Sequence, residues 1–98
     1  MEARIIEYVA RLAVGFEDID SFNSPILSRV YLEAVKNVAL RVAVERGGVY
    51  YCGICGRGPY RRKGLYLHLK RMHGEEILDL VSEEVRRISS LAKRRGKV

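Results

Sequence analysis

The chain has 98 residues, enough for one domain or one small module with an attached arm, and too few for two full globular cores. Hydrophobic residues make up 48% of it and charged residues 31%, a composition typical of a folded protein. No apolar run approaches the roughly 18 residues of a membrane span, and the N-terminus lacks the features of a signal peptide. We therefore expect a soluble intracellular protein with no membrane partner.

The net charge of +6 is concentrated in one segment of the chain. Residues 57–73 carry six bases and no acid, whereas the segments before and after them are nearly balanced. The six bases are Arg57, Arg61, Arg62, Lys63, Lys70 and Arg71. Since like charges repel unless an anion neutralises them, this cluster favours a phosphate-bearing partner. A smaller basic cluster, residues 93–97, lies at the end of the chain.

The composition also bears on the source of the protein. Thr, Gln and Trp are absent, Asn occurs only at Asn23 and Asn37, and Val, Arg and Glu are abundant. Few amide side chains and many charged ones are typical of proteins that work at high temperature. The composition therefore predicts a thermophilic source, an archaeon or its virus.

The first predicted helix covers residues 2–14. Its apolar residues recur at intervals of four, three and four, which places them on one face. They are Ile5, Val9, Leu12 and Phe16. Gly15 and the polar residues 17–21 end this helix.

The second predicted helix begins at Ser24, which can cap it, and at Pro25, which suits the first helical position. It extends to about Arg46 and ends at Gly47 and Gly48. Its polar residues form one narrow stripe, so that most of its circumference requires burial. We expect the C-terminal helix, a second subunit in a homodimer or a larger assembly to cover it.

The C-terminal part predicts a short β-like stretch at residues 49–51, a turn at residues 53–59 and two helices. A short helix covers residues 63–73, and a longer one extends from Glu75 to about Arg94. The longer helix is acidic in its first turn and basic in its last, which suits the helix dipole. Its apolar face, which we expect to pack against the N-terminal helices, comprises Leu78, Val81, Val85, Ile88 and Ala92.

All the cysteines and histidines of the chain belong to one pattern, Cys52, Cys55, His68 and His73. A Cys-x2-Cys turn presents two thiolates, and one helix presents two imidazoles, which suits tetrahedral zinc. A redox pair would require a βαβ context that this sequence lacks. Four protein ligands leave no open position for a catalytic water, so we expect one structural Zn2+ and no enzymatic activity.

The segment from Tyr50 to His73, about a quarter of the chain, resembles the C2H2 zinc finger. The resemblance includes the aromatic Tyr50 before the first cysteine, the four ligands and the core leucine, Leu65. It departs at the position of the family's core phenylalanine, where Pro59 stands and where we expect the adjacent Tyr60 to pack instead. The resemblance implies a ββα unit, and the flanking segments resemble no family.

The expected fold class is therefore mostly α with a small ββα zinc finger. We divide the chain into an N-terminal helical hairpin (1–48), the finger (49–74) and a C-terminal helix with a basic tail (75–98). We expect the three parts to form one compact unit.

The resemblance also implies which residues contact bases, namely Arg61, Lys63, Gly64 and Leu67. Arg61 can bind a guanine edge with two hydrogen bonds and Lys63 can assist, but Gly64 and Leu67 have no hydrogen-bonding side chains. The six bases of residues 57–73 are better suited to phosphates, which position a protein without specifying a sequence. We expect strongly salt-dependent binding with weak sequence preference.

Three functions remain open, and a small DNA-binding transcriptional regulator or accessory protein is the preferred one. An RNA-binding or ribosome-associated protein is an alternative, because Tyr60 and Tyr66 lie among the bases and unpaired nucleotides stack on such rings. The role of Tyr66, in the core or in stacking, stays open. The third alternative is a protein-interaction module with a structural zinc and the apolar second helix as its docking face.

Overall fold

The computed structural model describes residues 2–16 and 29–96, and the side-chain environments of residues 3–16 and 29–91. The described elements are, in chain order, α1 (Glu2–Ala13), α2 (Arg29–Val42), β1 (Ala43–Arg46), β2 (Val49–Cys52), α3 (Arg62–Met72) and α4 (Gly74–Gly96). This architecture confirms the predicted fold class, mostly α with a small ββα unit. The predicted start of the second helix at Ser24 and the polar stretch 17–21 lie outside the described residues.

Helices α1, α2 and α4 pack on one another, and together with Val14, which follows α1 directly, we call them the helical layer. Its buried apolar residues are Val9, Ala10, Val14, Ala34, Val35, Val38, Ala39, Val42, Ile77 and Val81. Because α4 lies against α2, the second helix finds within the same chain one of the partners that its apolar circumference requires. Leu40 of α2 nevertheless remains 72% exposed.

The second helix is shorter than the sequence analysis predicts. It ends at Val42, and its predicted extension to Arg46 is wrong, because residues 43–46 form β1 and pair antiparallel with β2. Gly47 and Gly48 connect the strands with φ of 59° and 86°. A two-residue hairpin turn of type I′ requires positive φ at both central positions, which glycine adopts without strain. The two glycines therefore reverse the chain within a hairpin and do not cap a helix.

Two predicted apolar faces differ in detail from the observed ones. Phe16, placed on the buried face of the first helix, follows the end of α1 and is 45% exposed. In the described part of α4 the buried apolar positions are Ile77, which the predicted face omits, and Val81, which it includes, whereas Leu78 is only partly buried. The described part of α4 packs against α1 and α2, as expected. No described helix combines the length and the apolar character that a membrane crossing demands.

We call residues 43–73 the finger segment. It comprises β1, β2, α3 and the tight turn of residues 52–56, which we call the cysteine turn. Leu65 and Leu69 of α3 are fully buried and belong to the same apolar cluster as the helical layer. α3 packs against α1 and β2, and the backbone of Tyr60 pairs with that of Tyr50, which adds a bridge to the hairpin. This packing places one face of α3 opposite the turn that follows β2.

Candidate metal centre

The four predicted ligands lie together in the structure. One potential ligand atom from each of Cys52, Cys55, His68 and His73 lies within 4.8 Å of the others. Cys52 is the last residue of β2, and Cys55 lies in the turn that follows it. His68 comes from α3, and His73 is the single residue between α3 and α4. Their arrangement can hold one metal ion and is compatible with a ββα zinc finger.

The cysteine turn lies against the C-terminal end of α2. The backbone N–H of Gly53 donates a hydrogen bond of 2.9 Å to the carbonyl of Val42. A Cβ atom at Gly53 would lie 2.0 Å from the carbonyl oxygen of Arg41, so only glycine fits this close approach. Gly56 adopts a φ of 77°, and its N–H donates to the carbonyl of Cys52 over 2.8 Å, which closes the turn.

Backbone N–H groups donate hydrogen bonds to both sulfur atoms. The N–H groups of Cys55 and Ile54 donate to the sulfur of Cys52, and the N–H of Arg57 donates to that of Cys55. The hydrogen bond from Arg57 is the main cause that lowers the pKa of Cys55 to about 6, whereas burial raises the pKa of Cys52. Since the thiolate is the form that ligates a metal, the turn prepares Cys55 for this role.

Tyr60 orients the first imidazole. Its hydroxyl lies 3.3 Å from Nδ1 of His68, and the two rings stack with their centroids 4.9 Å apart. The other nitrogen of His68, Nε2, lies 3.5 Å from Sγ of Cys55. Tyr60 also packs against the apolar core, as expected for the residue next to Pro59. It thus supports both the core and a metal ligand.

The second imidazole provides the test of whether a metal fits the site. Nδ1 of His73 lies 2.8 Å from Oε1 of Glu76. Nε2 of the same ring is buried and has no hydrogen-bond partner within the described part of the chain. An unsatisfied buried nitrogen costs about 1–3 kcal/mol, and a metal ion bound at Nε2 would remove that cost. Burial tends to lower the pKa of His73, but the nearby Glu76 carboxylate and Cys55 sulfur together outweigh it and raise the pKa.

The donor set determines what this site can do. Two sulfur and two nitrogen donors would complete the tetrahedral sphere that zinc prefers and would leave no open position for a substrate or a water. A metal held in this way stabilises a fold, because the ligands come from separate elements that it joins.

All six bases of residues 57–73 are exposed. Among the residues with described side chains, Arg57, Arg61, Lys63 and Arg71 form no ion pair. Nε of Arg62 donates a 3.2 Å hydrogen bond to the hydroxyl of Tyr50. These five cations were named from the sequence, and their side chains lie at the surface of the finger segment.

Lys70 differs from the other bases, because its ammonium group lies 2.6 Å from the carboxylate of Glu7 on α1. Tyr66 also donates a hydrogen bond to Glu7, and its ring packs against that of Phe16 with the two centroids 5.6 Å apart. Burial tends to raise the pKa of Glu7, but the hydrogen bonds from Lys70, Tyr66 and Arg11 outweigh it and lower the pKa to about 2. Lys70 and Tyr66 therefore join α3 to α1.

The sequence analysis missed two carboxylates, Glu76, which contacts the metal ligand His73, and Glu7, which pairs with Lys70. Glu76 follows His73 by three residues on a helical stretch, a spacing that brings side chains together and that the sequence displays. Glu7 lies 63 positions before Lys70, and no local pattern connects them.

Comparisons of the chain with protein-family models, with curated proteins and with solved structures found no match. The interpretation of the site accordingly depends on the ligand spacing, on the clustered ligand atoms and on the unpaired Nε2 of His73.

Proposed function

We propose that this chain is a zinc-stabilised nucleic-acid-binding protein, a small DNA-binding regulator or accessory protein that contacts phosphates through the finger segment. The observation that carries the proposal is a group of exposed cations without ion-pair partners in the described structure, formed by Arg57, Arg61, Lys63 and Arg71. A surface of this kind attracts a polyanion.

Zinc is the metal that suits the site best. Two thiolates and two imidazoles are the donors of structural zinc sites, whereas magnesium and calcium prefer oxygen. Since protein ligands would fill the coordination sphere, the proposed metal has a structural role and offers no open position for catalysis. When bound, the zinc ion joins the cysteine turn to α3 and satisfies the buried nitrogen of His73.

The electrostatics of the N-terminus of α3 support an anionic partner. The first turn contains no acid, the N-cap residue Arg61 makes no side-chain cap hydrogen bond, and Arg62 and Lys63 follow directly. Each cation at the positive end of a helix dipole costs about 0.3–1 kcal/mol. A phosphate bound at this end would offset the repulsion and accept hydrogen bonds from backbone N–H groups that the helix leaves unpaired.

Duplex DNA is the preferred nucleic acid because the two tyrosines proposed for stacking already have partners. The ring of Tyr60 stacks on His68, and the ring of Tyr66 contacts Phe16 and lies 5.0 Å from the Lys70 ammonium group. Unpaired RNA bases require open aromatic faces. Phosphate contacts from Arg57, Arg61 and Lys63 need no such rings, and they imply weak sequence preference.

The proposal is tested by measuring the affinity of the zinc-loaded protein for duplex DNA, single-stranded DNA and structured RNA over a salt series. We expect preference for the duplex and a linear fall of log affinity with log salt concentration. Arg61→Ala combined with Lys63→Ala should reduce the slope by about 2, because two phosphate contacts are lost. The fold should persist, since both side chains are exposed.

A matched control is Arg4→Ala combined with Arg86→Ala, which removes the same charge from exposed positions on α1 and α4. Equal slopes for the two double variants would show that only net charge matters and would overturn the assigned surface. RNA preference would favour the RNA-binding alternative. No binding at low salt would reject both and leave a protein-interaction module, for which the exposed Leu40 predicts a concentration-dependent size.

A further inference from the structure

The carboxylate of Glu76 connects α4 to one of the predicted metal ligands. Its Oε1 lies 2.8 Å from Nδ1 of His73, a ring that is only 8% exposed. Glu76 belongs to the first turn of α4, whereas the contacts to the nitrogens of His68 come from Tyr60 and Cys55 in the finger segment.

The hydrogen bond determines which nitrogen of His73 is free to bind a metal. A neutral imidazole carries its proton on one nitrogen and a lone pair on the other. If the N–H group at Nδ1 donates a hydrogen bond to Glu76, the lone pair lies on Nε2. Nε2 is the buried nitrogen without a hydrogen-bond partner in the described structure. A carboxylate in this position fixes the ring orientation and raises the basicity of the metal-binding nitrogen.

The first turn of α4 fixes the backbone position of Glu76, whose side chain is 55% exposed. The residue after it, Ile77, is fully buried in the core of the helical layer. The backbone N–H of Ile77 donates a 2.9 Å hydrogen bond to the carbonyl of His73. Backbone and side-chain hydrogen bonds therefore both join His73 to this turn, and burial of Ile77 anchors the turn.

We propose that Glu76 is a positioning residue that holds His73 in the metal-binding tautomer, so that metal affinity depends on the packing of α4 against α1 and α2. The inference rests on the proposed zinc binding. It goes beyond it by making a residue outside the finger segment part of the metal centre.

The chain supplies a matched control at the preceding position. Glu75 is also acidic, exposed and in the first turn of α4, where it interacts with the helix dipole as Glu76 does. Glu76 is distinguished from it by the hydrogen bond to His73. Glu75→Ala therefore measures the helix-dipole contribution, and Glu76→Ala measures that contribution together with the hydrogen bond.

The experiment measures zinc affinity by competition with a chromophoric chelator for the full-length protein and three variants. Glu76→Ala should weaken zinc binding by about 10- to 100-fold, the range for carboxylates that support a ligating histidine. Glu75→Ala should change it by about twofold, as expected for an exposed helix-dipole interaction. Glu76→Gln should recover part of the loss, because its amide oxygen can still accept the Nδ1 proton.

A second readout separates positioning from general stability. In the zinc-loaded protein, the Nδ1 proton of His73 should be visible by NMR and protected from exchange with solvent. It should remain so in Glu75→Ala and Glu76→Gln, and lose its protection in Glu76→Ala. A loss of stability that left the hydrogen bond intact would not produce this pattern.

The outcomes are distinguishable. If the unmodified protein binds no zinc, the proposed function and this inference both fail. If it binds zinc, and Glu76→Ala matches Glu75→Ala in affinity and in protection of the Nδ1 proton, only the role of Glu76 is overturned. The graded order of Glu75→Ala, Glu76→Gln and Glu76→Ala supports it.

Discussion

The helical layer and the finger segment differ in how many buried apolar residues each contains. Of the buried apolar residues in the described structure, ten belong to the helical layer and four to the finger segment. The four are Tyr50, Cys52, Leu65 and Leu69. A segment with so few buried residues gains little from apolar burial within itself, and the proposed metal, held by residues from separate elements, would add to its stability.

The two regions are nevertheless joined at specific places. Leu65 and Leu69 of α3 belong to the same apolar cluster as the helical layer. Gly53 in the cysteine turn lies against the end of α2, and Glu76 of α4 holds His73. Residues at the junction of the two regions should therefore affect both stability and the metal centre, whereas residues within the helical layer should affect stability alone.

The largest effect on stability is expected where the cysteine turn meets α2. Gly53→Ala places a Cβ atom 2.0 Å from the carbonyl oxygen of Arg41, and a backbone atom cannot move aside as a flexible side chain can. We expect the free energy of unfolding to fall by about 3 kcal/mol, the upper part of the range for overpacked sites. Zinc affinity should fall as well, because Cys52 is the preceding residue. Urea unfolding in excess zinc measures the first effect.

Gly64→Ala is the matched control for this variant. A Cβ atom there would lie 3.6 Å from the ring of Tyr60, an ordinary contact, and Gly64 lies inside α3. Alanine in a helix interior is favoured over glycine by about 1 kcal/mol, so this variant should be neutral or more stable. If the two glycine variants were equally stable, the close approach at Gly53 would not matter.

A smaller effect is expected at Glu84, which acts within the helical layer. Its carboxylate accepts two hydrogen bonds of 2.9 Å from Arg87 and one of 3.0 Å from Asn37 on α2. The hydrogen bonds from Arg87 and Asn37 lower the pKa of Glu84 to about 2. Glu84→Gln should reduce the free energy of unfolding by about 1–2 kcal/mol at neutral pH, as for loss of hydrogen bonds to a charged group.

The stabilisation that Glu84 provides should depend on pH, because its pKa is lower in the folded protein. A carboxylate whose pKa is lowered on folding adds stability above the ordinary pKa of 4.5, and this stability is lost as the pH falls toward about 2. The difference between the unmodified protein and Glu84→Gln should therefore shrink over this range in urea unfolding experiments. Protonation of the metal ligands affects both proteins alike. A difference that stays constant with pH would contradict the account of Glu84.

The sequence predicts the local features of the site well. The order and spacing of Cys52, Cys55, His68 and His73 predict their clustering, which the structure confirms. The prediction that one helix carries both histidines is wrong in detail, because α3 ends at Met72 and His73 follows it. The helix that carries His68 is predicted from residue 63, one residue after its observed start at Arg62. Both predictions require only information within a short stretch of chain.

Features that depend on distant partners are predicted less well. Residues 43–46 can extend a helix or form a strand, and only their pairing with β2 decides between the two. The contact of Glu7 with Lys70 depends on the packing of α1 against α3, which no local pattern specifies. The sequence did contain a hairpin signal, because Gly47 and Gly48 lie between two valine-containing stretches.

The measurement that tests the central claim most directly is the affinity for duplex DNA at low salt with and without the metal. Cys55→Ser suits this purpose, because it removes a ligand whose side chain is exposed, leaving the apolar core intact. The variant keeps every cation but should lose zinc, so that α3 no longer presents Arg61 and Lys63 in a fixed arrangement. We predict that the zinc-loaded protein binds at least about tenfold more tightly than Cys55→Ser. Equal affinity of the two proteins would contradict the account.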